Sequence, residues 1–163
     1  MKNLPKIFIV EDDVFYANLL KKEITKNRLG NVETYHTGED FIDNLYKNPD
    51  VVLLDHNLGN MNGVDVLKKI KSISPKIQVI FLSAQEKMHV AITSLKFGAF
   101  DYVEKNNTAL NRVKALIRRI GKFNQIAEEK KQFNIVKIGL FVILTSIISI
   151  SIYLQLFHSS IFF

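Results

Sequence analysis

Four positions in the chain combine residue types that together could bind a divalent cation and accept a phosphoryl group. They are an acidic triplet, one aspartate, one serine and one lysine: Glu11-Asp12-Asp13, Asp55, Ser83 and Lys105. Clustered carboxylates repel one another and favour a hard cation, and Mg²⁺ binds one or two carboxylates together with phosphate oxygens and waters. An aspartate can act as a nucleophile, while a lysine and a hydroxyl can hold phosphoryl oxygens.

Each of these residues alone has a simpler interpretation, because an acidic residue after a strand is usually a helix cap or a solvated loop residue. The chemical interpretation depends on all four positions lying together. The acidic triplet also leaves two choices, since the functional pair is either Glu11 and Asp12 or Asp12 and Asp13. If the first strand ends at Val10, Glu11 and Asp12 enter the site first and Asp13 caps the following helix.

The segments around these positions alternate between two kinds of pattern. Short runs typical of strands occupy residues 7–10, 31–36, 51–54, 79–82 and 101–104. Helical patterns occupy residues 14–26, 37–46, 64–73 and 86–97, and a long helix is expected from about residue 108. The alternation predicts an α/β fold, a doubly wound five-stranded parallel sheet with helices on both faces. The active site of such a fold lies at the carboxyl ends of its strands, where all four positions fall.

Motifs at these strand ends resemble those of bacterial two-component response-regulator receiver domains of the chemotaxis-regulator type. The resemblance covers roughly residues 4–121 and is carried by Val10-Glu11-Asp12-Asp13, Leu54-Asp55 with Gly63 eight residues later, Phe81-Leu82-Ser83-Ala84, and Gly98-Ala99-Phe100-Asp101-Tyr102-Val103-Glu104-Lys105. It implies a flavodoxin-like sheet with strand order 2-1-3-4-5. It also implies a phosphoacceptor signalling protein whose only reactions are its own Mg²⁺-dependent phosphorylation and dephosphorylation.

The resemblance implies a role for each site residue. Asp55 would be the phosphoacceptor, and Lys105 and Ser83 would contact the phosphoryl group. The Mg²⁺ ligands would be Glu11, Asp12, Asp55 and the backbone carbonyl of Asn57. Tyr102 would be the switch aromatic, and helix four, strand five and helix five would form the face that binds a downstream protein. The phosphoryl donor would be a sensor histidine kinase or a phosphotransfer protein.

Two residues depart from the family pattern. Gly59 and Asn106 stand where family members usually have proline. Neither change removes a chemical group, but a cis bond before Asn106 would cost about 3 kcal/mol.

An aspartate-nucleophile phosphatase is disfavoured, because it needs a second aspartate where this chain has Asn57. The alternative to a phosphoacceptor is a binding module or scaffold at the membrane that keeps the receiver fold and works without phosphorylation.

The C-terminal part of the chain has a different composition. Residues 1–104 carry 13 Lys/Arg and 14 Asp/Glu, whereas residues 105–163 carry 9 and 2, and no charged residue follows Lys137. Residues 139–157 are 19 uncharged positions, and a helix of that length spans about 30 Å, the thickness of a bilayer core. A soluble amphipathic helix would show a charged face, so the segment predicts a transmembrane helix.

The expected organisation follows from this segment. It comprises a receiver domain at 1–121, a charged helical linker at 122–134, a transmembrane helix at 135–158 and a short tail at 159–163. Basic residues lie on the N-terminal side of the span, which predicts a single-pass protein of the inner (cytoplasmic) membrane with the receiver in the cytoplasm. No DNA binding is expected, because too few residues separate the receiver from the apolar segment to form a helix-turn-helix domain. The absence of cysteine excludes a disulfide framework.

Overall fold

The computed structural model describes residues 4–84 and 88–161. The strands of the main sheet are β1 Lys6–Val10, β2 Asn31–Tyr35, β3 Val51–Asp55, β4 Gln78–Ser83 and β5 Asp101–Glu104. The α-helices are α1 Val14–Lys26, α2 Gly38–Asp43, α3 Gly63–Ile73, α4 Met88–Lys96 and α5 Ala109–Ile161. The alternation of strands and helices that the sequence predicts is confirmed.

The five strands are all parallel and lie in the order β2-β1-β3-β4-β5. This order confirms the flavodoxin-like, doubly wound topology. After β2 the chain crosses to the other side of β1 to form β3, so the strand order reverses between β1 and β3. Ligands of open α/β sheets bind in the crevice beyond the carboxyl ends of the strands at such a reversal.

Side chains of the central strands alternate between two apolar cores, one on each face of the sheet. Phe8 and Val10 belong to the core that α2, α3 and α4 cover, whereas Ile7 and Ile9 belong to the core that α1 and the first turns of α5 cover. All five residues of β3 are buried, as expected for a central parallel strand with helices on both faces. Burial on both faces fixes the strand ends that carry the site.

Polar side chains start the helices next to the carboxyl edge of the sheet. Oδ1 of Asp13 accepts hydrogen bonds from the backbone N–H groups of Phe15 (2.9 Å) and Tyr16 (3.1 Å) and so caps α1. Oδ1 of Asn62 accepts a hydrogen bond from the Val64 N–H (2.8 Å) and caps α3. Each cap lies directly after a loop that carries site residues, so its hydrogen bonds connect that loop to the first turn of the next helix.

The second helix is shorter than the predicted 37–46. It ends at Asp43, and a 3₁₀ turn follows over Leu45–Lys47. The side-chain amide of Asn44 donates a hydrogen bond to the Asp40 carbonyl (2.9 Å). Local side-chain bonds of this kind compete with the helical backbone pattern, which explains why the helix stops before Tyr46.

The loop after β3 contains a small hairpin that the sequence pattern did not predict. Two-residue strands, Asn57–Leu58 and Met61–Asn62, pair in antiparallel fashion. Gly59 lies at the turn with φ +64°. Proline cannot adopt this conformation, because its ring fixes φ near −65°. The glycine that replaces the usual family proline therefore matches the turn that this loop makes.

Internal contacts divide the chain into two compact units, residues 1–121 and 122–163. The described part of the second unit is helical, since α5 extends to Ile161. Every side chain from Lys122 to Ser151 is exposed. Within the described residues one helix is long and apolar enough, by length and composition, to cross a membrane. A long exposed apolar surface is unusual for a protein surrounded by water.

Candidate functional site

The carboxyl edge of the sheet brings together residues that lie far apart in the sequence. Glu11 directly follows β1, Asp55 ends β3, Ser83 ends β4 and Lys105 directly follows β5. β3 pairs with β1 on one side and with β4 on the other, and β4 pairs with β5. Because neighbouring parallel strands end at the same edge, these four residues form one site.

Lys105 joins the two buried carboxylates of this site. Its Nζ atom lies 2.7 Å from Glu11 Oε1 and 2.8 Å from Asp55 Oδ1. Glu11 is 0% exposed and Asp55 is 3% exposed. The backbone N–H of Lys105 donates a hydrogen bond to the Ser83 carbonyl (2.7 Å). The lysine is therefore held at its backbone by β4 and at its ammonium group by residues at the ends of β1 and β3.

Burial makes both carboxyl groups harder to ionise. Burial, and then the neighbouring charge of Asp55, raise the pKa of Glu11 to about 7, although Lys105 acts in the opposite direction. Burial also raises the pKa of Asp55 against the hydrogen bond and charge of Lys105. Burial opposes the charge on Lys105, but hydrogen bonds to Asp55 and Glu11 outweigh it and raise the pKa of that lysine. Positive charge at this site therefore favours the ionised form of both carboxyl groups and partly offsets the effect of burial.

The acidic residues form a cluster that fits a hard divalent cation. One carboxylate oxygen from each of Glu11, Asp12 and Asp55 lies within 4.8 Å of the other two. Oε2 of Glu11 is buried and has no hydrogen-bond partner within the described residues, so it can serve a cation that prefers oxygen ligands. Asp12 is exposed to solvent. The Asp13 carboxylate caps α1, so the structure brings Glu11 and Asp12, rather than Asp13, together with Asp55.

The other candidate residues lie around this cluster. The backbone N–H of Asn57 donates a hydrogen bond to Asp55 Oδ2 (3.2 Å), so the loop after β3 turns back onto the Asp55 carboxylate. Ser83 is 1% exposed. Tyr102 is half-buried on β5, is paired in register with Phe81 of β4, and packs against the core on the α3 and α4 side. Ser83 and Tyr102 thus lie on neighbouring strands.

The loop after Lys105 closes without a proline. None of the peptide bonds in residues 4–84 and 88–161 is cis. Oδ1 of Asn106 accepts hydrogen bonds from the backbone N–H of Thr108 (3.0 Å) and from its hydroxyl (2.7 Å). Asparagine commonly supports a turn through such a side-chain bond, and this turn leads directly into α5.

Two further residues at the site were missed by the sequence analysis. Tyr16, in the first turn of α1, has its ring centroid 4.8 Å from Lys105 Nζ. His36 directly follows β2, and its Nδ1 atom lies 2.9 Å from the backbone carbonyl oxygen of Glu11; since a carbonyl only accepts, that nitrogen carries the proton. The position of His36 after a strand was a usable signal. The contact of Tyr16 depends on the direction of α1 and had none.

Three comparisons relate the chain to known proteins. The family model described as response regulator receiver domain matches residues 7–118. The chain is 34% identical over 99 residues to the DNA-binding transcriptional regulator NtrC of Klebsiella pneumoniae, which covers 60% of this chain and 21% of NtrC. It is 29% identical over 151 residues to the response regulator ArlR of Staphylococcus aureus, which covers 87% of this chain and 68% of ArlR.

A solved structure shows the same fold. The BeF3-activated receiver domain of DrrB, a Thermotoga maritima response regulator, has a TM-score of 0.67 to this chain at 28% identity, covering 73% of this chain and 98% of that domain. The chain spans about a fifth of the length of NtrC. The family match at residues 7–118 includes Glu11, Asp55, Ser83 and Lys105. The chain therefore belongs to the response regulator receiver domain family.

Proposed function

We propose that the chain is a membrane-tethered response regulator that accepts a phosphoryl group on Asp55. The observation that most strongly supports this proposal is the position of Lys105, whose ammonium group lies within 2.8 Å of both Glu11 and Asp55. A purely structural ion pair needs one carboxylate for one lysine. Here the exposed Asp12 adds a third carboxylate to the cluster, so negative charge is in excess beside a lysine suited to holding phosphoryl oxygens.

Mg²⁺ is the cofactor of the proposed site. Glu11, Asp12 and Asp55 would hold it together with the backbone carbonyl of Asn57, and the bound ion would neutralise charge on the transferring phosphoryl group. The buried Oε2 atom of Glu11, which has no hydrogen-bond partner in the described part of the chain, supports this assignment. Asn57 is exposed and adjoins the Asp55 carboxylate through its backbone N–H.

The proposed reaction is a displacement at phosphorus, with a histidine kinase or phosphotransfer protein as the donor. An oxygen of the Asp55 carboxylate forms the new P–O bond while the P–N bond of a phosphohistidine breaks; the imidazole nitrogen keeps that electron pair and takes up a proton. Lys105 and the Ser83 hydroxyl would hold the oxygens of the transferred group. Positioning and electrostatic stabilisation account for catalysis in this scheme.

The proposed output is a protein contact on the face formed by α4, β5 and the first turns of α5. Three apolar side chains spaced along one side of α4 are strongly exposed: Met88 (78%), Ile92 (60%) and Leu95 (48%). Tyr102, half-buried on β5, would move inward as Ser83 shifts toward the phosphoryl group. An inward movement of this ring would change the shape of the face that the partner contacts.

The proposed tether is the uncharged part of α5. We assign residues 1–121 to the receiver domain, 122–134 to a charged linker, 135–158 to the span and 159–163 to a tail, of which residues 162–163 lie outside the described residues. Lys130 and Lys131 precede the span and Lys137 lies in its first turn; this basic N-terminal side favours a cytoplasmic receiver at the inner membrane. The relative NtrC is named a DNA-binding regulator, and the described residues after 121 belong to a single helix.

Phosphoryl transfer to the full chain tests the proposal. The protein is incubated with Mg²⁺ and acetyl phosphate, and intact mass is measured for the wild type, Asp55→Ala and Asp43→Ala, an exposed aspartate at the end of α2. We expect one added phosphoryl group in the wild type and Asp43→Ala, and none in Asp55→Ala or after removal of Mg²⁺. An unmodified wild type, together with full activity of Asp55→Ala in cells, would instead support a scaffold that works without phosphorylation.

A further inference from the structure

The Tyr16 side chain contacts the site from α1 without forming a hydrogen bond. Its ring centroid lies 4.8 Å from the Nζ atom of Lys105, which also forms ion pairs with Glu11 and Asp55. The Tyr16 hydroxyl is buried and has no hydrogen-bond partner among residues 4–84 and 88–161. The ring, and not the hydroxyl, therefore makes the contact that matters for the site.

The contact between this ring and the ammonium group is electrostatically favourable. A cation over an aromatic face is attracted by the negative charge of the π system, and the attraction is stronger when the pair is shielded from water. The Lys105 side chain is 13% exposed, and Tyr16 is half-buried. Burial also raises the pKa of Tyr16, so the phenol stays neutral and does not act as another anionic partner for the lysine.

The third acidic residue of the triplet holds Tyr16 in place. Asp13 Oδ1 accepts a hydrogen bond from the backbone N–H of Tyr16 at 3.1 Å, which fixes the first turn of α1. Glu11 and Asp12 thus contribute carboxylates to the cluster, while Asp13 orients the segment that brings the ring to Lys105. Glu11 and Tyr16 lie close together in the sequence, so the local backbone of this segment sets the arrangement.

We propose that Tyr16 is a positioning residue that keeps the Lys105 ammonium group in the site while its carboxylate partners change. This inference rests on the proposed function, in which an oxygen of Asp55 becomes bonded to phosphorus and the present ion pair with Lys105 must rearrange. The ring contact involves neither a transferred proton nor a reacting oxygen. It can therefore persist through the reaction and hold the lysine near the phosphoryl oxygens.

The test compares Tyr16→Leu, Tyr16→Phe and Phe97→Leu in the full chain, each with Lys105 and with Lys105→Met. Phe97→Leu is the matched control, because it removes a ring whose centroid lies 4.7 Å from a different lysine, Lys68. The measured quantity is the rate constant of phosphorylation at saturating acetyl phosphate with Mg²⁺. We expect a loss of about fivefold in Tyr16→Leu from the absent cation–π contact. We expect no loss in Phe97→Leu, nearly full rescue in Tyr16→Phe, and no further effect of Tyr16→Leu once Lys105 is replaced.

A second measurement does not depend on phosphoryl transfer. The Tyr16 ring current should shift the NMR resonances of the Lys105 ε-methylene protons upfield, and Tyr16→Leu should abolish that shift while Tyr16→Phe retains it. Tyr16→Met takes the place of Tyr16→Leu if the leucine variant does not fold.

Three outcomes would overturn the inference: unchanged lysine resonances in Tyr16→Leu, a phenylalanine variant no better than the leucine variant, or an equal loss in the Lys105→Met background. Each concerns Tyr16 and leaves the proposed function in place when the wild type accepts a phosphoryl group. A wild type that accepts none contradicts the proposed function instead. The resonance shifts then still decide whether the ring positions the lysine.

Discussion

Lys105 serves two buried carboxylates at once, which makes it important for stability as well as for chemistry. Taking one partner away from a buried ion pair leaves the remaining charge uncompensated, and this costs about 3–5 kcal/mol in typical cases. Glu11, with its pKa raised to about 7, can reduce that cost by taking up a proton. The stability of the site thus depends on whether Lys105, a bound cation or both supply positive charge to Glu11, Asp12 and Asp55.

The variant Lys105→Met should show this dependence directly. We expect the free energy of unfolding to fall by about 2 kcal/mol without Mg²⁺, because a buried ion pair loses its cationic partner. The loss should be smaller with Mg²⁺, because a bound ion compensates the same carboxylates. Urea unfolding with and without the metal measures both values. Lys68→Met, which breaks the exposed pair with Asp65, is the control; equal losses in the two metal conditions would contradict the argument.

Gly63 provides a second test at single-residue scale. A Cβ atom at this position would overlap the backbone carbonyl of Asp55, and backbone cannot move aside as a flexible side chain can. Gly63→Ala should therefore lower the free energy of unfolding by about 2 kcal/mol or more. Gly121→Ala, a helical position with open space around it, should instead raise it by up to about 1 kcal/mol. Thermal unfolding of both variants measures these changes. A Gly63→Ala variant that is more stable than Gly121→Ala would contradict the argument.

At the scale of elements, α1 and the first turns of α5 cover one face of the sheet and are joined by a polar contact. Nζ of Lys114 lies 2.8 Å from Glu23 Oε2, and both side chains are largely shielded from solvent. The hydrogen bond from Lys114, followed by its charge, lowers the pKa of Glu23. A carboxyl group with a lower pKa in the folded state stabilises the fold above its ordinary pKa and loses this effect as the pH falls through the folded value.

The contribution of this contact should therefore disappear in acid. We expect Glu23→Gln to lower the urea midpoint at pH 7 and to approach the wild-type midpoint as the pH falls below about 4, where carboxyl groups protonate. In a Lys114→Met background the same substitution should have no pH-dependent effect. A difference between wild type and Glu23→Gln that stays constant from pH 7 to pH 3 would show that the contact acts through shape and not through charge.

The elements also show why some features were predictable and others were not. The apolar runs of β3 and β4 are buried on both faces, so sequence alone identified these strands and the residues at their ends, Asp55 and Ser83. The end of α2 and the hairpin after β3 depend on local bonds and backbone angles at Asn44 and Gly59, which leave no periodic pattern. The contact of Tyr16 with Lys105 depends on how α1 lies against the sheet, and residue types along the helix do not encode that direction.

At the scale of the whole molecule, the chain combines a receiver unit with a helical unit of different composition. Residues 1–121 bury two apolar cores, whereas the side chains of residues 122–151 are all exposed and become uncharged after Lys137. The family match at residues 7–118 lies within the first unit. The proposed membrane span would account for the composition of the second unit, and a topology experiment can test it.

The lack of cysteine makes that experiment straightforward. A single cysteine at exposed Ser72 should react with a membrane-impermeant maleimide only after spheroplasts are permeabilised, because the receiver is expected in the cytoplasm. A single cysteine at residue 163 should react in intact spheroplasts, because the proposed span would place this residue outside. Equal labelling of both positions, or recovery of the full chain in the soluble fraction, would contradict a single-pass tether.

The turn at Gly59 is a position where the most common residue of the family does not suit this backbone. Exchanging a residue for the one most common in its family often stabilises a protein, and at this position receiver domains usually carry proline. Here that exchange would require φ to change from +64° to about −65°, which the hairpin between Asn57 and Asn62 does not allow. A redesign based on the family consensus would therefore favour a substitution that this backbone cannot accommodate. The substitution would lie close in sequence to Asp55, on which the proposed signal depends.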